Sequence, residues 1–267
     1  LENCNNGVLE FTFPEYAAMA LLNDPNVKKN DVSIIEDHMR MGEVGKDELD
    51  PRDGGGHPVI LGAGGPDAYG YVWIDSDEAG GPVYNWIDIS GTGTAVPGTS
   101  LGDDDFAGPF PIGWDFPLYD HVSNQFFMES NGAISFNAAG LDLTLSNGQI
   151  PTNNASRTNF IAWFWDDMDP ANANTTVYYQ DFGSYFVIQF ENYYEYPDGT
   201  DYVDAQIILY PSGKIMIQYS HIDPGLDILS NTIGIQGDPA QGLQVSYNTS
   251  YLHEDLAIMI APPGSHF

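Results

Sequence analysis

Basic side chains are scarce in this 267-residue chain: 7 Lys and Arg stand against 38 Asp and Glu, a formal net charge of -31. Nucleic acids are held by Lys/Arg patches that displace counterions from phosphates, so the shortage excludes them as partners, and it excludes an anionic membrane surface for the same reason. After Arg52 only Arg157 and Lys214 remain. Cysteine is equally sparse. The single Cys4 cannot close an intrachain disulfide, which leaves stability to the core, with or without a bound metal. Glu2 and Asn3 make the Leu1–Cys4 stretch a poor lipoprotein cleavage site, and an incidental thiol is the simpler reading. No apolar run is long enough to span a bilayer. No basic stretch followed by an apolar core marks a signal peptide, so a secreted chain of this sequence is expected to have lost its signal already.

Aromatic residues, by contrast, are plentiful. With 14 Phe, 16 Tyr and 5 Trp, and 42% hydrophobic residues, the chain carries far more buriable surface than a disordered one. Its charge is uneven: residues 1–52 carry a net of -6 and residues 53–267 a net of -25. Self-repulsion on that scale destabilises a compact state unless salt or bound cations screen it. The expected setting is therefore saline or calcium-containing and extracellular, although solubility alone also accounts for the acidity.

Residues 1–66 form one compositional region. Gly7–Phe13 alternates like a strand; Pro14 then opens a helix-forming run, Glu15–Leu22, and a second short helix is predicted over Asp31–Met41 with Asp31 as N-cap. Gly42–Gly65 holds eight glycines and two prolines and reads as a linker or arm. From Asp67 the pattern changes to short strands separated by turn residues. They are predicted at 69–74, 84–89, 110–119, 125–130, 133–136, 160–165, 176–181, 185–191, 203–210, 214–219, 232–236, 243–247 and 256–260. Asn131-Gly132, Asn147-Gly148, Asp198-Gly199 and Pro211-Ser212-Gly213 supply turn chemistry. The expected fold is all-β, an antiparallel β-sandwich or jelly roll over residues 67–261, preceded by a short helical arm and followed by a tail, 262–267.

Several of these stretches recur in a familiar order: Asp67-Ala-Tyr-Gly-Tyr-Val-Trp-Ile-Asp, Tyr84-Asn-Trp-Ile-Asp-Ile, Gly108-Pro-Phe-Pro-Ile-Gly-Trp, Ser130-Asn-Gly-Ala-Ile-Ser-Phe, Ile161-Ala-Trp-Phe-Trp-Asp-Asp, Gln206-Ile-Ile-Leu-Tyr-Pro-Ser-Gly-Lys and Thr232-Ile-Gly-Ile-Gln. Together they resemble an accessory β-domain of large secreted bacterial proteins. Such domains sit beside peptidase domains and Ig-like repeats, often in chains exported by the type IX secretion route. Phe110–Phe136 is distantly similar to nidogen-like extracellular domains. The resemblance covers Asp67–Ala261 and implies secretion, a β-sandwich and a non-catalytic role; it supplies no ligand.

Hard cations are the ligand best suited to the residues. Asp75, Asp77 and Glu78 follow a predicted strand; Asp103, Asp104 and Asp105 form a second cluster and Asp166, Asp167 and Asp169 a third, all at strand ends. Oxygen ligands of this kind suit Ca²⁺, and solvated turns are the competing reading. None matches the twelve-residue loop of an EF-hand. Carboxylate pairs drawn from Asp166, Asp167 and Glu195 also permit a glycosidase, but in so acidic a chain such pairs arise by chance. There is no Gly-x-Ser-x-Gly elbow, and the histidines lack zinc spacing. Tyr193, Tyr194 and Tyr196 precede Pro197-Asp-Gly and are expected to lie exposed at a loop tip, where they could stack on sugar rings. A free Gly7–Phe13 strand could instead add to a neighbouring molecule's sheet edge, or fold back on its own domain. The expectation is a non-catalytic, calcium-stabilised secreted or cell-surface module acting in adhesion or assembly, through self-association or other cell-surface proteins. The alternative is a carbohydrate-binding accessory module of a secreted hydrolase; a glycoside hydrolase ranks below both.

Overall fold

A computed structural model describes residues 62–265 apart from 138–142, 144 and 198. The predicted strand Gly7–Phe13 and helices 15–22 and 31–41 lie outside the described residues. In chain order the strands are β1 (Ala63–Gly64), β2 (Val72–Asp75), β3 (Thr94–Pro97), β4 (Phe106–Leu118), β5 (His121–Glu129), β6 (Ala133–Ser135) and β7 (Phe160–Trp165). They continue with β8 (Thr176–Asp181), β9 (Phe186–Tyr194), β10 (Tyr202–Leu209), β11 (Ile215–Ile222), β12 (Thr232–Gln236), β13 (Gly242–Tyr247) and β14 (Leu256–Ala261). An eight-stranded sheet runs β1-β2-β14-β11-β10-β9-β8-β3, a six-stranded sheet runs β13-β12-β7-β6-β5-β4, and every pairing is antiparallel. The all-β antiparallel sandwich is therefore the fold.

Period-2 alternation fills the space between the sheets. Val203, Ala205, Ile207 and Leu209 of β10, Ile215, Ile217 and Tyr219 of β11, and Phe186, Ile188 and Phe190 of β9 point inward. They meet Phe126, Met128, Ile161, Trp163, Ile233 and Ile235 from the other sheet. Trp163 stacks on Phe190 at 4.3 Å between ring centroids, and Tyr219 donates its hydroxyl proton to the Trp163 carbonyl. Fully burying each large apolar side chain contributes roughly 1.5–3 kcal/mol.

Two bulges break the alternation and re-aim aromatic residues. On β7, Trp163 and Phe164 together oppose Ile233, and both of their N–H groups donate to the Gly132 carbonyl at 3.0 Å. Strict alternation would place Trp165 on the same side as Trp163. The bulge sends it instead to the outer face, with Ala162, Phe160, Leu143 and Ile150. Gly132 sits at φ +72°, where a Cβ would overlap the Phe164 carbonyl oxygen. The second bulge lies on β9, where Asp204 faces both Glu191 and Asn192. Its carboxylate accepts the Asn192 N–H at 2.7 Å, and Asn192 adopts φ +48°.

The stretch predicted as a strand at Tyr84–Ile89 is extended but belongs to neither sheet. It is part of the connection from β2 to β3, which leads across the outer face of the eight-stranded sheet to its opposite edge. Three cross-strand neighbours, Gln218, Gln206 and Gln189, supply its hydrogen bonds. Asn85 donates to Gln218 Oε1 at 2.7 Å and accepts from Gln218 Nε2 at 3.0 Å. Ile87 exchanges the same pair with Gln206, at 3.3 and 2.6 Å. Ile89 N–H then reaches Gln189 Oε1 at 3.0 Å, and Gln206 Nε2 bonds that same oxygen at 2.8 Å. All three glutamines are fully buried. Beneath this strap Ile89, Val187 and Ile208 form a small second core. The sequence reading also missed β3 and the two-residue β1.

Two substitutions test these devices in chemical denaturation. Gly132→Ala is expected to cost at least about 2 kcal/mol, because it forces both a left-handed alanine and a collision with backbone. Gln206→Leu is expected to cost about 1–3 kcal/mol by leaving the Ile87 N–H and carbonyl without partners. Wild-type stability in either variant would refute the corresponding account.

Candidate functional site

The strand register gathers one set of loops at one end of the sandwich. These loops, 76–81, 98–105, 166–175, 195–201, 223–231 and 248–255, follow or precede strand ends that are paired with one another. They carry Asp77, Glu78, Asp103, Asp104, Asp105, Asp166, Asp167, Asp169, Glu195, Asp201, Asp223, Asp227, Glu254 and Asp255, with the Asp75 end of β2 beside them. Arg157 and Lys214, the basic residues of the described part, sit in loops at the opposite end, before β7 and between β10 and β11.

Two of the three acidic clusters meet there. Asp103, Asp104 and Asp167 each bring a carboxylate oxygen within 4.8 Å of the others. Asp103 and Asp104 are exposed, and Asp167 is half-buried. Asn131, buried in the turn between β5 and β6, brackets the two loops. Its Nδ2 donates to Asp104 Oδ1 and to the Leu143 carbonyl, each at 3.1 Å, and its Oδ1 accepts the Met168 N–H at 3.1 Å. Two carboxylates at this separation repel by roughly 1–3 kcal/mol in the screened environment of a protein surface. Oxygens around one Ca²⁺, at about 2.3–2.6 Å from the ion, lie within about 5 Å of one another, so the spacing matches a shared hard cation.

The other members of those clusters serve local structure. Asp105 Oδ1 accepts its neighbour Phe106 N–H at 2.8 Å, Asp169 Oδ1 accepts Ala171 N–H at 3.0 Å, and buried Asp166 accepts from Ser230 Oγ at 3.2 Å. The Asp75, Asp77, Glu78 cluster is built differently. Asp75 is 1% exposed; its Oδ2 accepts the Tyr251 hydroxyl at 2.7 Å and its Oδ1 the Asp77 N–H at 3.0 Å. Burial, then the bond to Asp75, pushes the Tyr251 phenol well above its ordinary range. Asp77 Oδ2 pairs with His253 Nε2 at 3.0 Å. This turn is thus a hydrogen-bonded corner locking β2 to the loop before β14, with Glu78 beside it.

The expected exposed tyrosine tip is not what forms. The β9 bulge turns Tyr193 into the core, 1% exposed, where its hydroxyl donates to the Ser130 carbonyl at 2.9 Å and its ring meets Trp163 at 5.0 Å. Tyr194 is 8% exposed and packs against Tyr202. Tyr196 alone is half-exposed. Sequence reasoning used Asn131 only as a turn residue and passed over Tyr251 and His253; a polar residue whose two sides face two acidic runs was the available signal for the first, and nothing local marks the others.

A family model described as NIDO related matches residues 79–259, from the loop after β2 through most of β14. The chain belongs to this NIDO-related family. Searches of curated proteins and of solved structures found no match. The NIDO-related assignment agrees with the nidogen-like resemblance of Phe110–Phe136, which spans β4 to β6, and supports an extracellular β-sandwich module. No helix among the described residues is long and apolar enough to cross a membrane.

His253 gives this end a pH dependence. Burial lowers its affinity for a proton, but the Glu254 carbonyl and Asp77 outweigh burial and hold its pKa above 6.5. A raised histidine pKa stabilises the fold fully below the ordinary histidine value, and the contribution fades as pH rises through the folded one. Because the pair is largely exposed, it is worth no more than about 1 kcal/mol. His253→Gln is therefore expected to lower the melting temperature slightly at pH 5.5 and to leave it unchanged at pH 9; an equal loss at both would show that packing, not charge, is what the histidine supplies.

Proposed function

We propose that this NIDO-related chain is a non-catalytic, calcium-stabilised module that acts in extracellular adhesion or assembly, exported by a type IX-type route. The meeting of Asp103, Asp104 and Asp167 within 4.8 Å, from runs far apart in the sequence, is the observation that carries the metal part of this reading. The ion would bind one or more oxygens from each residue, with water completing its shell. Its effect would be to offset the repulsion that the strand register concentrates at this end. Adhesion or assembly, rather than catalysis, fits a rigid sandwich whose loops are braced by their own side chains. Carbohydrate recognition through Tyr193, Tyr194 and Tyr196 loses two of its three contacts to burial.

Thermal melts of the whole chain in calcium and in chelator test the metal. At a calcium concentration one hundred times Kd the melting temperature is expected to rise by about 5–10 °C. Asp167→Asn should abolish that rise. A wild-type melting temperature indifferent to calcium would refute the proposal.

A further inference from the structure

The strap over the eight-stranded sheet has two edges, and one of them is unused. In an extended chain the N–H and C=O of successive residues point to opposite sides. Asn85, Ile87 and Ile89 aim theirs down at the glutamine row. Tyr84, Trp86 and Asp88 therefore aim theirs away from the sheet, and among the described residues no backbone group of these three is hydrogen-bonded. Val83 beside them is 82% exposed. Such an edge is a template for one more strand.

The flanks of the strap differ in chemistry. On one side Ile87 and Ile89 pack with Ile208, Tyr185, Tyr210 and Met216. On the other, Asp88 lies near Glu191, and Tyr84 lies near Asp204, Glu254 and Asp255. A second copy of this acidic face would be repelled. An added strand whose side chains alternate would place one row over the apolar flank and the other over the carboxylates.

We propose that the outward edge of Tyr84–Asp88 accepts an extended peptide that alternates cationic and apolar residues, joined by main-chain hydrogen bonds as an added strand. The surface is separate from the acidic loops around Asp103, so it stands or falls independently of the calcium reading.

The probe is an eight-residue alternating Lys-Val peptide, titrated into the isotopically labelled full chain at low ionic strength, with calcium and with chelator. In the free protein the Tyr84, Trp86 and Asp88 amides are expected to exchange quickly with solvent, and those of Asn85, Ile87 and Ile89 slowly. Peptide should protect the first three, shift their resonances and bind more weakly as salt rises. The same peptide N-methylated at every residue keeps the charge and loses the donors, and is expected to bind at least roughly tenfold more weakly. An alternating Glu-Val peptide should not bind. Equal binding of the N-methylated peptide would reduce the site to charge attraction and overturn the proposal. So would an absence of binding, or amides of Tyr84, Trp86 and Asp88 already protected in the free chain.

Discussion

A chain segment that crosses the face of a finished sheet has no neighbouring strand to satisfy its backbone, and unsatisfied buried N–H and C=O groups cost more than most single contacts contribute. The connection from β2 to β3 faces this constraint because the two strands lie toward opposite edges of the same sheet. Gln218, Gln206 and Gln189 meet it by presenting one amide per strand: the first two match both the donor and the acceptor of a strap residue, and Gln189 accepts the Ile89 N–H. The six-stranded sheet uses the same chemistry. Gln244 accepts the Ile150 N–H, and Gln236 bonds both Thr152 and Arg157, holding a second covering segment over Trp165 and Phe160. Both outer faces are in this way sealed by chain that belongs to no sheet.

Sealing the faces leaves the ends of the sandwich to carry the charge. Antiparallel pairing alternates which end each strand leaves from, so the acidic turns at strand ends fall together where the register is shared. Carboxylates crowd one end, and Arg157, whose backbone lies toward the other, sets its guanidinium 5.4 Å from the ring centroid of Trp165, the residue before Asp166. Some of the repulsion is absorbed locally, as when Asp75 takes a phenol and an amide or Asp204 takes the Asn192 N–H. Burial still pushes the Asp204 carboxyl above its ordinary range, with that hydrogen bond opposing. Asn131 bonds Asp104 and the Met168 N–H beside Asp167, bridging the two loops in which Asp103, Asp104 and Asp167 come together.

Much of this was legible in the residues, and the failures have a common origin. Phe160–Trp165, Thr176–Asp181 and Thr232–Gln236 form over the predicted ranges because alternation bounded by turn residues is sufficient for a strand in a two-sided sheet. A bulge is one residue long and leaves the alternating pattern on either side intact, so the inversion of Trp165 and the burial of Tyr193 could not be read from period alone. Tyr84–Ile89 reads as a strand because a half-buried extended segment has the same period whether its partner is a backbone or three side chains. The acidic runs were visible one by one. Which of them meet depends on Asn131, whose bonds to Asp104 and Met168 reach loops distant from it and from each other in sequence.

The glutamine row also constrains what the outer face can become. Had apolar residues stood at 189, 206 and 218, the face would be greasier but the strap would have nothing to bond, and it could lie anywhere along the strands. Three amides at one level fix both its height and its register to a single residue, because shifting by one would turn the N–H and C=O of Asn85 and Ile87 outward and those of Tyr84 and Trp86 inward. That same fixation determines which backbone groups remain on the outside. An edge that is strand-like, rigidly placed and flanked by acids on one side only is a consequence of how the sheet was closed.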